Sequence, residues 1–266
     1  MAEVALINQM GKLKASYHDI DTLDRATRTG MFSLFERYYE AVTTAQFEQD
    51  LRGKSIAILL TDGEGNLQGF STIEVISLDS SSGPGIALFS GDTIISHQHW
   101  GEQELSYAWC FFAGQIKKQA PSLPLYWFLI VKGHRTYRYL PAFTRRFYPR
   151  HNQVTPVELQ RIIDRLASSK FGHAYDPQTG VVHFSRSRGH LRTEWIELNE
   201  DIVRKPDVAF FLEKNPGYVS GDELVCLTEL SESNMRFVSR TAFIKGMNSC
   251  QDGMIFNVAS LDIESS

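Results

Sequence analysis

The sequence predicts an α/β domain: a mixed, mostly antiparallel central sheet with flanking helices. Three observations carry that prediction. Two compact β-prone runs, residues 55–60 and 68–76, flank Asp62-Gly63-Glu64-Gly65-Asn66, a turn by composition. Residues 86–95 form a β-rich segment that leads through a short loop into a long amphipathic stretch, 100–119. Residues 125–131 are continuously apolar, as a central strand covered on both faces requires.

In chain order, residues 22–42 read as helical, with Leu23, Met31, Leu34, Phe35, Tyr38 and Tyr39 apolar or aromatic and Gly30 as a break point. The hairpin follows, then a loop over 79–85 and the strand 86–95. The helix 100–119 places Leu105, Trp109, Phe112 and Ile116 on one face, and Pro121 and Pro124 end it. After the strand 125–131, residues 132–150 read as a helix kinked or broken at Pro141. Beyond it, a helix is expected over 156–168 and a turn at 176–180. Short strands are expected at 181–184 and 194–198, a strand pair at 208–212 and 223–230, and a helix at 232–244. The tail after Gly246 is expected to be mobile.

Composition narrows the function classes. The chain has 266 residues, 42% hydrophobic and 22% charged, with a net charge of −4. That describes a globular protein with a full core and argues against a dedicated nucleic-acid binder. Cys110, Cys226 and Cys250 fit neither a disulfide framework nor a zinc spacing, which points to a reducing cytoplasm. No signal peptide and no membrane span is read from the sequence. His173, His183 and His190 match no metal spacing, and there is no Gly-x-Ser-x-Gly elbow or Walker loop. Cys110 lies inside the expected helix and reads as core.

Residues 89–105, FSGDTIISHQHWGEQEL, are the most informative stretch. A strand feeding a helix N-terminus makes an anion site, because the first N–H groups of the helix lack partners and sit at its positive end. The same stretch also reads as an ordinary β-to-α connection. Gln98-x-x-Gly101-x-Gln103 resembles the Gln/Arg-x-x-Gly-x-Gly/Ala loop of the GNAT superfamily of N-acyltransferases at two of its three fixed positions. The hairpin SIAILLTDGEGNLQGFSTIEV, the strand LYWFLIVKG and the segment HRTYRYLPAFTRRFYPR stand where that family has its second and third strands, fifth strand and fourth helix. The likeness spans about residues 22–150.

The resemblance implies a GNAT-like fold with splayed fourth and fifth strands. It divides the chain into a donor-binding core at 1–150, an insertion at 151–205 covering the acceptor side, and a strand pair and helix at 206–266 completing the domain. It also implies direct transfer of an acyl group from a pantetheine thioester to an amine. The donor is acyl-CoA or acyl-phosphopantetheine on a carrier protein, with no covalently bound cofactor and no metal. Ile94, Ile95, Gln98, Trp100, Gly101, Gln103 and Arg135 would hold the donor. Asp92, the only carboxylate on its strand, would be the base, and it also reads as a turn or bulge aspartate after Gly91. Tyr139 would protonate the leaving thiolate, with Tyr137 close behind, and His97 or His99 would relay protons.

One departure stands out. Gln103 replaces a Gly or Ala that lets donor phosphates approach the backbone, and the bulky Trp100 sits beside it. A pyrophosphate would be crowded there, whereas a single phosphodiester would fit. Under the competing reading the donor site has decayed and the fold is a non-catalytic binding module. Residues 132–150 carry Lys132, Arg135, Arg138, Arg145, Arg146 and Arg150 with no Asp or Glu. This basic segment suits an acidic acyl carrier protein, or is simply a solvated face. The aromatic residues Tyr107, Trp109, Phe111, Phe112, Tyr126, Trp127 and Phe128 fill a core or line a channel for a medium or long acyl chain.

Overall fold

The computed structural model describes residues 13–78, 83–185, 188–196, 200–250 and 255–261. Eight strands form one sheet. In spatial order they are β1 (Lys14–Asp19), β3 (Ile56–Thr61), β4 (Leu67–Leu78), β5 (Gly85–Ile95), β6 (Leu125–Val131), β10 (Glu223–Glu229), β8 (Val181–Val182) and β7 (Tyr175–Asp176). Every neighbouring pair is antiparallel except β5 and β6, which run parallel. A separate ribbon pairs β2 (Tyr39–Glu40) with β9 (His190–Leu191).

Local chemistry explains the hairpin between β3 and β4. The Asp62 carboxylate accepts the side-chain amides of Gln68 and Asn66 and the backbone N–H groups of Glu64 and Asn66. These bonds, led by that from Gln68, favour the charged form and hold its pKa at about 2. Caps fix the first helices. Asp24 accepts the Thr27 N–H at 2.7 Å before α1 (Arg25–Phe35), and Thr43 accepts the Gln46 N–H at 3.2 Å before α2 (Thr44–Arg52).

Strand alternation sorts the core onto two faces. On one, Leu88, Trp127, Leu129, Leu224 and Cys226 pack with α3 (Glu104–Gln119) and, after the short helices α4 (His134–Tyr137) and α5 (Tyr139–Phe143), with the C-terminal helix. On the other, Phe89, Phe128, Val225 and Leu227 meet Ile162, Ile163 and Leu166 of α6 (Val157–Phe171). Also there, α1 and α2 cover Ala57, Leu59, Phe70 and Ile94. The remaining helices are α7 (Thr193–Ile196), α8 (Glu200–Val203), α9 (Pro206–Lys214) and α10 (Phe237–Met247).

Several expectations are corrected. The helical stretch 22–42 ends at Phe35 and gives way to β2; β1 and α2 were not anticipated. Residues 132–150 form only the single turns α4 and α5, followed by an extended run that bridges Thr144 to Met235 and Tyr148 to Leu227. Residues 208–212 lie in α9, with Pro206 in its first turn where a missing N–H costs nothing, so only the second member of the expected strand pair joins the sheet. Thr193–Ile196 is a helical turn where a strand was expected; 197–198 lie outside the described residues, as do 79–82 of the expected loop. The last helix starts at Phe237, later than expected. Beyond it, residues 255–261 are docked: Gln119 donates to the Phe256 carbonyl at 2.7 Å and accepts the Val258 N–H at 2.8 Å, and Val258 is buried. Among the described residues no helix is long and apolar enough to cross a membrane.

Candidate active site

The parallel pair is where the sheet opens. β5 and β6 are in register from Ile86 opposite Leu125 to Ser90 opposite Leu129, and there the pairing stops although both strands continue. On its other edge β5 bulges. Thr93 pairs with Ser71 and Ser90 with Ile73, so Gly91 and Asp92 stand opposite Thr72 alone. At the last rung the Trp127 indole N–H donates to Ser90 Oγ at 2.8 Å. A cavity of about 810 Å³ passes through this parting and is lined from both faces of the sheet.

On the α3 side its wall includes Ile95, Trp100, Gly101, Gln103, Trp109, Trp127, Arg135 and Tyr139, while Ile94 enters it from the face covered by α1 and α2. The connection leaving β5 makes a 3-10 turn at His97–His99, then Gly101 adopts φ +99°, and the helix begins at Glu104 without a side-chain cap. It therefore opens four residues later than the sequence suggested. His99 is buried, with Nδ1 2.7 Å from Glu102 Oε1. Trp100 folds back to donate its indole N–H to the Ile95 carbonyl at 2.9 Å, and the Arg135 guanidinium lies 4.6 Å from its ring centroid. The Gln103 side chain turns back onto the Gly101 carbonyl at 3.1 Å.

Two expected site residues stay outside. The exposed His97 packs against Trp195, while its backbone N–H donates to the Tyr38 hydroxyl at 2.7 Å. Gln98 donates to Gln68 at 3.2 Å. Neither lines the cavity. Tyr137 is fully buried and its hydroxyl donates to the Pro149 carbonyl, so it has no route to the cavity either. Tyr139 does reach the wall, edge-on to Phe143, and burial raises its phenol pKa. Of the aromatics considered for an acyl channel, Trp109 and Trp127 line the cavity, whereas Phe112 and Phe128 are core.

On the opposite side the wall is charged. Asp92 shares it with Lys54, Lys132 and Glu223, beside Tyr39. Withdrawal from water pushes the Asp92 carboxyl above its usual range, against the pull of Lys132 and Lys54. Glu223 is raised for the same reason, although Lys132 lies 3.4 Å away. Burial lowers Lys54, helped by the nearby Lys170. Lys54, Lys132 and Glu223 were not read as site residues together: they flank three different apolar strands, and only the topology brings them close. From residues 151–205, Lys170, Phe171, Ala174, Phe184, Arg188 and Leu191 also line the cavity, and Trp195 lines it beside Trp100, with ring centroids 5.2 Å apart. Among the described residues no three His, Cys, Asp or Glu side chains are gathered as a metal would require.

No protein-family model matches the chain, and no curated protein is similar to it in sequence. Solved structures similar to it include a GNAT-family N-acetyltransferase (YhbS) of Escherichia coli in complex with CoA, at 15% identity and TM-score 0.34 over 49% of this chain and 71% of that one. A conserved protein of Enterococcus faecalis V583, given as a probable N-acyltransferase, shares 10% identity at TM-score 0.37 over 82% of this chain and 66% of its own. A Trypanosoma brucei acetyltransferase matches at 13% identity and TM-score 0.37, over 55% of this chain and 100% of that one. In strand order, in the parallel pair that parts after Ser90 and in the helix that follows the parting strand, the chain has a GNAT-like fold.

Proposed function

We propose that the protein is an N-acyltransferase, moving an acyl group from a pantetheine thioester to an amine. The observation that carries this reading is the parting of β5 and β6 after Ser90, with a cavity running through it from the start of α3 to Asp92. An extended pantetheine arm fits such a gap as a further strand would, because unpaired backbone groups on the parted strands are available to its amides. The thioester carbonyl then lies near backbone N–H groups that can stabilise the oxyanion.

The chemistry follows from the two walls. The acceptor amine gives its proton to Asp92, whose raised pKa makes it a stronger base than an ordinary carboxylate. The neutral amine attacks the thioester carbonyl and forms a tetrahedral oxyanion. Collapse breaks the carbon–sulfur bond, the nitrogen sheds its second proton to solvent, and Tyr139 gives its hydroxyl proton to the leaving thiolate. The amide product and a free thiol result, and the proton held by Asp92 returns to Tyr139 through solvent. Neither His97 nor Gln98 enters this scheme.

Acyl-CoA and acyl-phosphopantetheine on a carrier protein are both donors in this reading. Exposed Arg138, Arg145 and Arg146 follow the cavity-lining Arg135 along the chain, which supports docking of an acidic carrier. The folding of Gln103 and Trp100 over the loop favours the second reading, a module that binds a thioester without turning it over. Purified protein incubated with acyl-CoA and acyl-carrier donors of several chain lengths, plus an amine panel, separates the two. Amine-dependent thiol release with a matching amide mass supports transfer. Donor binding by native mass spectrometry without thiol release supports the module. Failure to bind any donor overturns both.

A further inference from the structure

We propose that the acceptor is an amino acid, its amine received at Asp92 and its carboxylate bound by Lys54. The amine's part as nucleophile rests on the acyl-transfer reading; the pairing of charges does not. Most charged side chains on this side of the cavity are partnered. Lys132 pairs with Glu223 at 3.4 Å, Arg188 with Asp50 at 3.4 Å, and Lys170 with Glu74. Among the described residues Lys54 and Asp92 stand in no ion pair. The Lys54 ammonium donates to the Asp50 backbone carbonyl at 3.0 Å and lies 5.3 Å from the Phe89 ring centroid.

The position of Lys54 is built into the backbone. Its stem crosses β5 at the bulge, where a Cβ on Gly91 would come within 2.3 Å of Lys54 Cε. Glycine there leaves the passage that brings the ammonium to the cavity next to Asp92. Two opposite charges thus face one partly dry space, near enough to attract each other, with neither in an ion-pair contact. Withdrawing an unpaired charge from water is costly, and a ligand that supplies the missing partner recovers the loss. A simple amine at Asp92 would engage that carboxylate and leave Lys54 without a contact partner among the carboxylates. A zwitterionic amino acid satisfies both at once. The wall beyond is aromatic: Phe89 and Phe171 lie 6.0 Å apart, Phe171 and Phe184 6.2 Å. The side chain of the acceptor is therefore apolar or aromatic.

The test compares apolar and aromatic amino acids, each beside its amide and its decarboxylated amine, with an acyl-CoA donor and the full chain. A charge-assisted contact predicts a kcat/KM for the amino acid about ten- to a hundredfold above either analogue. In Lys54→Met that ratio collapses toward one. The proposal is overturned if the wild-type protein uses the amides or plain amines as well as the amino acids, or if the ratio survives in Lys54→Met. Transfer with no such preference leaves the acyltransferase reading standing while this inference falls. If no acceptor is acylated, calorimetry on the CoA-saturated protein decides: amino-acid binding that exceeds amide binding upholds the inference, and equal or absent binding sinks it. The wild-type comparison alone is decisive should the variant not fold.

Discussion

Trp127 donates its indole N–H to Ser90 Oγ at 2.8 Å, reaching diagonally to the last residue of β5 that still pairs with β6. The bond pins the point at which the sheet opens. Ser90→Ala leaves a buried indole N–H without its partner, and the expected loss is about 1 kcal/mol of folding stability. Donor affinity should fall as well, because the edge of the gap is then less firmly placed. Urea melts and donor titrations of the variant check both.

Asp92→Asn removes the proposed base, and turnover should drop by about a hundredfold to ten-thousandfold while donor binding persists. The wild-type rate should rise with pH through a limb lying above the ordinary carboxylate range, since burial raises the folded pKa from 3.8. The stability effect has the opposite sense. The folded chain keeps this proton to higher pH than the unfolded chain, so stability declines as pH rises from 3.8 through the raised value. Asp92→Asn flattens that decline and is the more stable protein at neutral pH. Rate profiles and melts across pH measure the two effects side by side.

Much of this was legible because it depends on local pattern. The run 125–131 announced a central strand by having no polar residue in it, and β6 has those bounds. Asp92 drew attention as a carboxylate in a strand, and it lines the cavity. What escaped depends on long-range placement. β1 carries alternating partial burial with few apolar residues, so periodicity gave it away to nothing. Residues 208–212 are apolar in a run too short to separate strand from helix. Lys54 looks like an ordinary residue after Gly53, and only the missing Cβ at Gly91 sends it across β5. Lys132 and Glu223 come from distant parts of the chain and meet because β6 and β10 pair.

His134, at the start of α4, is buried at 4% exposure and lines the cavity. Burial, with Arg135 and Arg138 nearby, lowers its pKa from 6.5 to about 4. Here the unfolded chain binds the proton more readily, so stability is full above 6.5 and is lost as pH falls toward 4. The loss amounts to about 3 kcal/mol at most on completing that range. His134→Gln should flatten this acid limb, which chemical denaturation at stepped pH will register.

Gly114 of α3 and Gly246 of α10 mark where these helices cross at backbone distance. A Cβ on Gly114 would sit 2.0 Å from the Phe243 carbonyl oxygen, and one on Gly246 2.0 Å from the Phe111 carbonyl oxygen. Neither obstacle can swing aside, since both are main chain. Gly246→Ala should therefore push α10 off α3 at a cost of about 1–3 kcal/mol, more than offsetting the helix propensity that alanine adds. The consequence travels toward the site, because α3 carries Trp109 and its first turn faces the cavity. Donor binding should weaken together with stability, whereas an exposed glycine such as Gly63, with open space around its Cβ position, should tolerate alanine with neither effect. Parallel melts and donor titrations of the two variants make the comparison.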